Sequence, residues 1–155
     1  MNELQRNQDQ LHRAFYGEAW HGEAILELLH GVTTAIAIGR PVPNGHTIWE
    51  IVQHITLWND IVRGRIEGEV VEPGTGEDWL ATGEATDDAW IAALMELSRS
   101  FKDLEEALDD LKQAQFEDNL PGRDYNAHFL IQGAIQHAAY HGGQIGILKK
   151  ALLQG

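Results

Sequence analysis

Leu130-Ile131-Gln132-Gly133-Ala134-Ile135-Gln136-His137-Ala138-Ala139-Tyr140-His141-Gly142-Gly143-Gln144-Ile145-Gly146-Ile147-Leu148 is the stretch on which the fold of this chain turns. Extended to Leu152, it sets Leu130, Ala134, His137, His141, Ile145, Leu148 and Leu152 at successive steps of four or three residues, the period that keeps side chains on one face of an α-helix. Two imidazoles therefore stand inside an otherwise apolar stripe. A pair at i and i+4 sits about 6 Å apart, close enough for both rings to reach one cation, as in the zinc helix of the HExxH type.

Working outward, three more stretches carry the helical period, separated by the Gly, Pro and Asn clusters that punctuate helices. The first helix runs roughly from Asn2 to Tyr16, and Gly17 separates it from a shorter helical piece holding Ile25, Leu26 and Leu29. Gly39-Arg40-Pro41-Val42-Pro43-Asn44-Gly45 is a clear break. Thr47-Ile48-Trp49-Glu50 then has the Ser/Thr-x-x-Glu form, in which the hydroxyl accepts from first-turn amides and the carboxylate reaches back, so a second helix starts there and continues to about Glu67. Residues 68–85, with Pro73 and glycines at 68, 74, 76 and 83, disfavour helix and suit a long crossover, with Trp79 pinning it to the bundle.

Thr86-Asp87-Asp88 supplies a cap and two negative charges where a helix N-terminus favours them. A third helix follows to about Lys112, with Leu94, Leu97, Phe101, Leu104, Leu108 and Leu111 as its buried stripe. After Pro121-Gly122 the last helix begins near Asp124 or Asn126 and ends near Leu153. No period-two pattern and no internal repeat competes. The expected fold is all-α: a single domain over residues 1–155, built as a four-helix bundle with a long crossover between helices 2 and 3 and a short extra helix after helix 1.

The composition narrows the chemistry. A net charge of −13, from 24 acidic against 11 basic side chains, repels phosphate backbones and anionic membrane surfaces, so nucleic acid and membrane are not expected as partners. With no cysteine there is no disulfide, thiolate ligand or cysteine nucleophile, and any metal must be held by imidazole, carboxylate or carbonyl. Apolar runs such as Phe129-Leu130-Ile131 fall far short of the ~20 residues of a membrane span. The polar start Met1-Asn2-Glu3-Leu4-Gln5-Arg6-Asn7 does not have the form of an export signal, so a cytoplasmic location is the expectation.

A third imidazole joins the first two. Along the second helix Ile48, Ile51, Val52, Ile55, Trp58, Ile61 and Val62 cover a broad apolar arc, and His54 lies within its edge beside Trp58 and Ile61. Three buried imidazoles each bring a donor and an acceptor to satisfy, which a shared cation with outer hydrogen bonds achieves at once; separate carbonyl partners for each ring are the alternative. His128, nine residues before His137, is rotated by about half a turn and displaced by ~13 Å, so it stays outside the group. His12, His21, His30 and His46 lie near helix ends or in polar surroundings and read as surface residues.

Gly142-Gly143 inside a helix costs about 1 kcal/mol each relative to alanine, which points to close approach of a neighbouring helix or a ligand. Gln144, one turn after His141, is placed to orient a ligand or a bound water. The tryptophans at 49, 58 and 90 read as core and groove lining.

These residues resemble the DinB-like superfamily of metal-binding helical bundles, which includes the YfiT-type hydrolase group and the low-molecular-weight-thiol transferases. The resemblance is carried by Ala19-Trp20-His21-Gly22 with Ile25-Leu26-Glu27-Leu28-Leu29, by His46-Thr47-Ile48-Trp49-Glu50-Ile51-Val52-Gln53-His54-Ile55 with Trp58, by Asp78-Trp79, and most strongly by Gln136-His137-Ala138-Ala139-Tyr140-His141-Gly142-Gly143-Gln144-Ile145. It implies that His54, His137 and His141 are the metal positions, that the metal is zinc or nickel, and that the protein forms a homodimer. Some relatives carry an acid directly after the first histidine of the pair; here that residue is Ala138, so any acid–base group lies elsewhere.

Three imidazoles leave a tetrahedral ion one open position, the pattern of a catalytic rather than a structural site. The function expected is a divalent-metal-dependent enzyme acting on a small molecule, as a transferase that uses a low-molecular-weight thiol as cosubstrate or as a hydrolase. The alternative is a non-catalytic metal-binding or stress-response bundle with a structural or ligand-sensing role.

Overall fold

The computed structural model describes residues 1–154. Four long helices carry the architecture: α1 (Glu3–Tyr16), α4 (Ile48–Ile66), α5 (Asp87–Asp110) and α7 (Ala127–Leu153). Three short ones, α2 (Ile25–Leu29), α3 (Thr34–Ala37) and α6 (Gln113–Phe116), punctuate the connections. Each long helix starts where a side chain satisfies the free amides of its first turn. Asn2 accepts from the Gln5 amide at 2.8 Å while the Gln5 side chain accepts from the Asn2 amide at 2.9 Å. Thr47 and Glu50 form the same reciprocal pair at 3.2 and 2.8 Å. Thr86 caps α5 and Asn126 caps α7.

Cross-helix contacts give the directions. Trp49 meets Trp90 and Asn59 meets Ser100, so residue numbers rise together along α4 and α5 and the two run parallel. Glu3 lies by His128 and Asn7 bonds Gln132, so α1 and α7 are parallel too. His12 pairs with Glu105 and Phe15 stacks on Phe101, which makes α1 antiparallel to α5; His54 against His137 and Arg65 against Tyr125 do the same for α4 and α7. The order is up-down-down-up, with α1, α7, α4 and α5 packed in a ring. Two parallel neighbours cannot be joined by a tight turn. The chain must return along the length of α4, about 28 Å for its 19 residues, and residues 67–86 form that crossover.

One continuous core draws on all four long helices, with Ile131 and Ile145 of α7 fully buried in it. Phe15, Trp49, Leu97, Phe101, Leu104 and Leu108 are at most 1 % exposed, and Phe15 and Phe101 stack with centroids 3.6 Å apart. The expected stripe of α5 is there with two adjustments: Leu94 and Leu111 are only half-buried, and Trp90 is buried, its indole N–H donating to the Val32 carbonyl at 2.9 Å. The third helix also ends earlier than the pattern suggested, at Asp110 rather than near Lys112. Leu111 turns extended, and Lys112 opens the separate α6, whose Phe116 is fully buried. That turn, like α3, is too short to show a period in the sequence. The last helix begins at Ala127, with Asn126 outside it as the cap.

Arg65, near the end of α4 and 6 % exposed, ties down the start of the crossover. Its guanidinium donates to the Val71 carbonyl at 3.1 Å, to the Glu72 carboxylate at 2.7 Å and to the Tyr125 hydroxyl at 3.2 Å. No helix among the described residues is long and apolar enough to cross a membrane.

Candidate metal centre

His54 stands on α4, and His137 and His141 stand one turn apart on α7; the antiparallel packing of these helices sets the three rings against one another. One ligand nitrogen from each lies within 4.8 Å of the others. His54 Nε2 and His137 Nε2 are 3.0 Å apart, against about 3.3 Å for two imidazoles sharing a tetrahedral zinc at ~2.0–2.1 Å. His54 and His141 are 6 % and 4 % exposed, and His137 is half-buried.

The outer ring nitrogens determine which lone pairs remain free. His54 Nδ1–H donates to the Asp78 backbone carbonyl at 2.8 Å, with the Asp78 carboxylate 3.3 Å from the same nitrogen. His141 Nδ1–H donates to the Gln144 side-chain oxygen at 2.7 Å. Each bond selects the tautomer that leaves Nε2 unprotonated, as ligating histidines require. His137 is pushed down to a pKa of about 3, first by burial and then by the proximity of His141 and His54, with the Asp78 charge acting weakly the other way. His141 is also held below its ordinary value, mainly by burial, against the opposing Gln144 bond. Both are neutral at pH 7, the form that coordinates a metal. Neutral imidazoles without a thiolate suit a borderline divalent ion, a class that includes zinc, nickel, copper and iron.

The crossover completes the setting. Asp78 accepts a second bond on its carboxylate, from the Trp58 indole N–H at 2.7 Å. Trp79 is sandwiched between two imidazoles, with centroids 4.0 Å from His54 and 3.4 Å from His46 and planes within 2° and 6°. A cavity of about 530 Å³ opens beside the histidines. It is walled by Trp58, Val62 and Arg65 of α4, by Asp78 and Trp79, and by Tyr125, Phe129, Leu130, Ala134 and Tyr140 on the α7 side. A small molecule seated there has all three rings at one end.

Of the residues singled out in the sequence, His54, His137, His141 and Gln144 come together. His128 stays away, stacked on Phe116 near Glu3. His12 is an exposed partner of Glu105, and His21 and His30 are exposed. His46 is exposed as expected, yet its ring closes the stack over Trp79, a role its polar surroundings did not suggest. Trp49 and Trp90 pack together in the core, and Trp58 lines the cavity. The two glycines after His141 differ. A Cβ on Gly142 would stand 3.4 Å from Ile25 and Leu28, so α2 does approach closely there, whereas Gly143 faces open space.

Sequence reasoning missed Asp78 as the partner of His54, because the bond uses a backbone carbonyl; the Asp78-Trp79 pair was the available signal. It also missed Arg65, although eleven residues at 100° each return it to within about 20° of His54 on α4.

The profile of the DinB superfamily matches residues 19–145, a span that includes all three histidines, the crossover and most of α7. A crystal structure described as a conserved protein of locus from Enterococcus faecalis superposes with a TM-score of 0.73 at 18 % identity, covering 100 % of this chain and 99 % of that one, a likeness of fold. No functionally curated protein matches the chain in sequence. With the family profile matching most of its length, and with the bundle and histidine cluster described above, this chain belongs to the DinB superfamily.

Proposed function

We propose that this protein is a divalent-metal-dependent enzyme for a small-molecule substrate, of the low-molecular-weight-thiol transferase or hydrolase type, with His54, His137 and His141 as ligands of zinc or nickel. The observation that carries this reading is the convergence of three imidazoles at the end of an apolar cavity, two of them with the outer hydrogen bonds that ligating histidines make. A metal held there supplies a Lewis acid that lowers the pKa of a thiol or water at its open position. The protein's part is positional. Asp78 and Gln144 fix the ring orientations, Trp79 shields His54 from bulk water, and α4 and α7 hold the substrate's apolar body against the rings.

The test combines metal content with turnover. Natively purified protein is expected to carry about one zinc or nickel per chain, and His137→Ala to lose it. Turnover of an epoxide or chlorinated aromatic with bacillithiol, mycothiol or glutathione is expected to depend on that metal. Absence of metal-dependent rate with every thiol removes the transferase version, and absence of bound metal removes the reading as a whole. Chelation separates it from a structural metal: the stripped bundle is expected to keep its helical circular dichroism, whereas a structural ion would take the fold with it.

A further inference from the structure

The cavity has a second polar end. His54 and Arg65 lie on the same face of α4, eleven residues apart. The Arg65 guanidinium reaches back to 5.8 Å from the Trp58 ring centroid, itself 6.2 Å from the His137 ring, so the two polar ends are no more than about 12 Å apart. Between them the walls are mainly apolar, with Trp58 and Val62 facing Leu130 and Ala134. At the far end a guanidinium that is almost wholly buried meets a phenol. Arg65 offers five N–H groups; one is taken by the Val71 carbonyl, one by Glu72 and one by the Tyr125 hydroxyl. Two donors remain without an acceptor among the described residues. Tyr125 uses its oxygen to accept from Arg65, and its own proton has no acceptor among those residues either.

The charge there is also uneven. Glu72 is shared by Arg65 and Arg123, and no other carboxylate lies within 4 Å of either guanidinium among the described residues. Two positive charges therefore face one negative charge, in a chain whose net charge is −13. Spare donors and a surplus cation at the wall of a cavity recognise an acceptor oxygen, in its simplest form a carboxylate.

We propose that the Arg65–Tyr125 end of the cavity is a subsite for an anionic acceptor group, so that the substrate is an elongated, mainly apolar molecule with its reacting atom at the imidazole cluster and a carboxylate at its other end. This rests on the proposed function for the identity of the reacting end, and on the cavity alone for the carboxylate end.

The probes are ω-mercaptocarboxylic acids of increasing chain length, from 3-mercaptopropionate to 16-mercaptohexadecanoate, each paired with the methyl-ended alkanethiol of equal length. Binding to the cobalt-loaded full chain is read by calorimetry, and engagement of the metal by the thiolate-to-cobalt absorption band. Dodecanoate, which carries no thiol, is titrated against metal-free protein. The acids are expected to bind about ten-fold more tightly than the methyl-ended thiols once the chain spans the cavity, and not before. Tyr125→Phe and Arg65→Gln are each expected to remove most of that preference and to weaken dodecanoate. Arg65→Gln also loosens the crossover; if it fails to fold, Tyr125→Phe, whose ring still packs on Phe129, decides.

A thiolate band with no preference for the acids overturns the subsite and leaves the metal reading standing. Dodecanoate binding that depends on Tyr125 without any thiolate band upholds the subsite and removes the thiol-transferase version of the proposed function. Acid preference untouched by Tyr125→Phe overturns the assignment of the subsite to these residues.

Discussion

Gln144→Leu isolates the outer hydrogen bond of His141. The Gln144 side-chain oxygen receives the Nδ1 proton of His141 at 2.7 Å, one turn along α7, and makes no other hydrogen bond among the described residues. Leucine fills similar space but leaves that proton without an acceptor and the ring free to turn. Loss of such a partner weakens metal binding by about 10- to 100-fold, or about 1.4 to 2.7 kcal/mol. At a fixed excess of zinc the metal-dependent stabilisation falls by the same free energy, which for a chain of this size lowers the melting temperature of the zinc form by roughly 3 to 10 °C while the metal-free form barely changes. Gln144→Glu keeps the acceptor and adds a charge, so it is expected to match or exceed the parent. The assay is zinc competition against a chromophoric chelator, with thermal melts of both forms. Zinc affinity of Gln144→Leu within two-fold of the parent, or Gln144→Glu weaker than Gln144→Leu, refutes the reasoning.

Three further outcomes follow from the same geometry. The metal-free protein is expected to lose stability on acidification: the folded pKa of His137 is about 3 against an ordinary 6.5, so between those values the unfolded chain binds a proton that the native chain refuses, and stability falls by about 1.4 kcal/mol per pH unit below pH 6.5. Urea unfolding at pH 7.0 and 5.5 checks this, and His137→Asn should flatten the slope. Gly143→Ala is expected to stabilise the monomer by about 1 kcal/mol, since its Cβ meets nothing within 4 Å; an unchanged or lower urea midpoint in dilute solution counts against it. The homodimer implied by the family resemblance is proposed to form on the exposed face of α7 that borders the cavity, where Phe129, Tyr140 and Ile147 are 67 %, 66 % and 69 % exposed and no charged residue occurs between Ala127 and Leu148. Sedimentation should then show a dimer that Ile147→Asp dissociates, and a monomeric parent protein removes the proposal.

The sequence carried the helices and the convergence of the three histidines, because both are written in a period that a helix converts directly into space. His137 and His141 had to share a face with Leu130 and Ile145, and His54 had to lie beside Trp58, whatever the packing. The partners of those rings were less legible for a physical reason. Asp78 serves His54 through its backbone carbonyl, a group every residue possesses, from a crossover whose path depends on contacts made elsewhere. His46 gave no sign of its stack, since exposed polar neighbours in sequence say nothing of a tryptophan delivered from residue 79. Arg65 was open to discovery by the same angular count that found His54, but an arginine in an apolar arc reads as a snorkelling surface residue until its acceptors are known.

The way the crossover is fastened bears on what the site is for. One end is fixed by Arg65 and Arg123 through Val71 and Glu72, the other by His54 and Trp58 through Asp78, so the same segment borders the carboxylate-seeking end of the cavity and the imidazole end. The core is one continuous cluster to which all four long helices contribute, from Phe15, Phe101 and Leu104 to Ile131 and Ile145 of α7. On the proposed function a bundle with such a core folds without a metal, unlike the small domains in which a structural zinc substitutes for missing hydrophobic burial, and the chelation experiment tests this. The histidine cluster, in which burial holds His137 and His141 below the ordinary imidazole pKa, is a standing cost to the metal-free chain. On the proposed function that cost is offset by metal binding at the end of the cavity, with the crossover, held at both ends, running from the Arg65–Tyr125 end to the imidazoles.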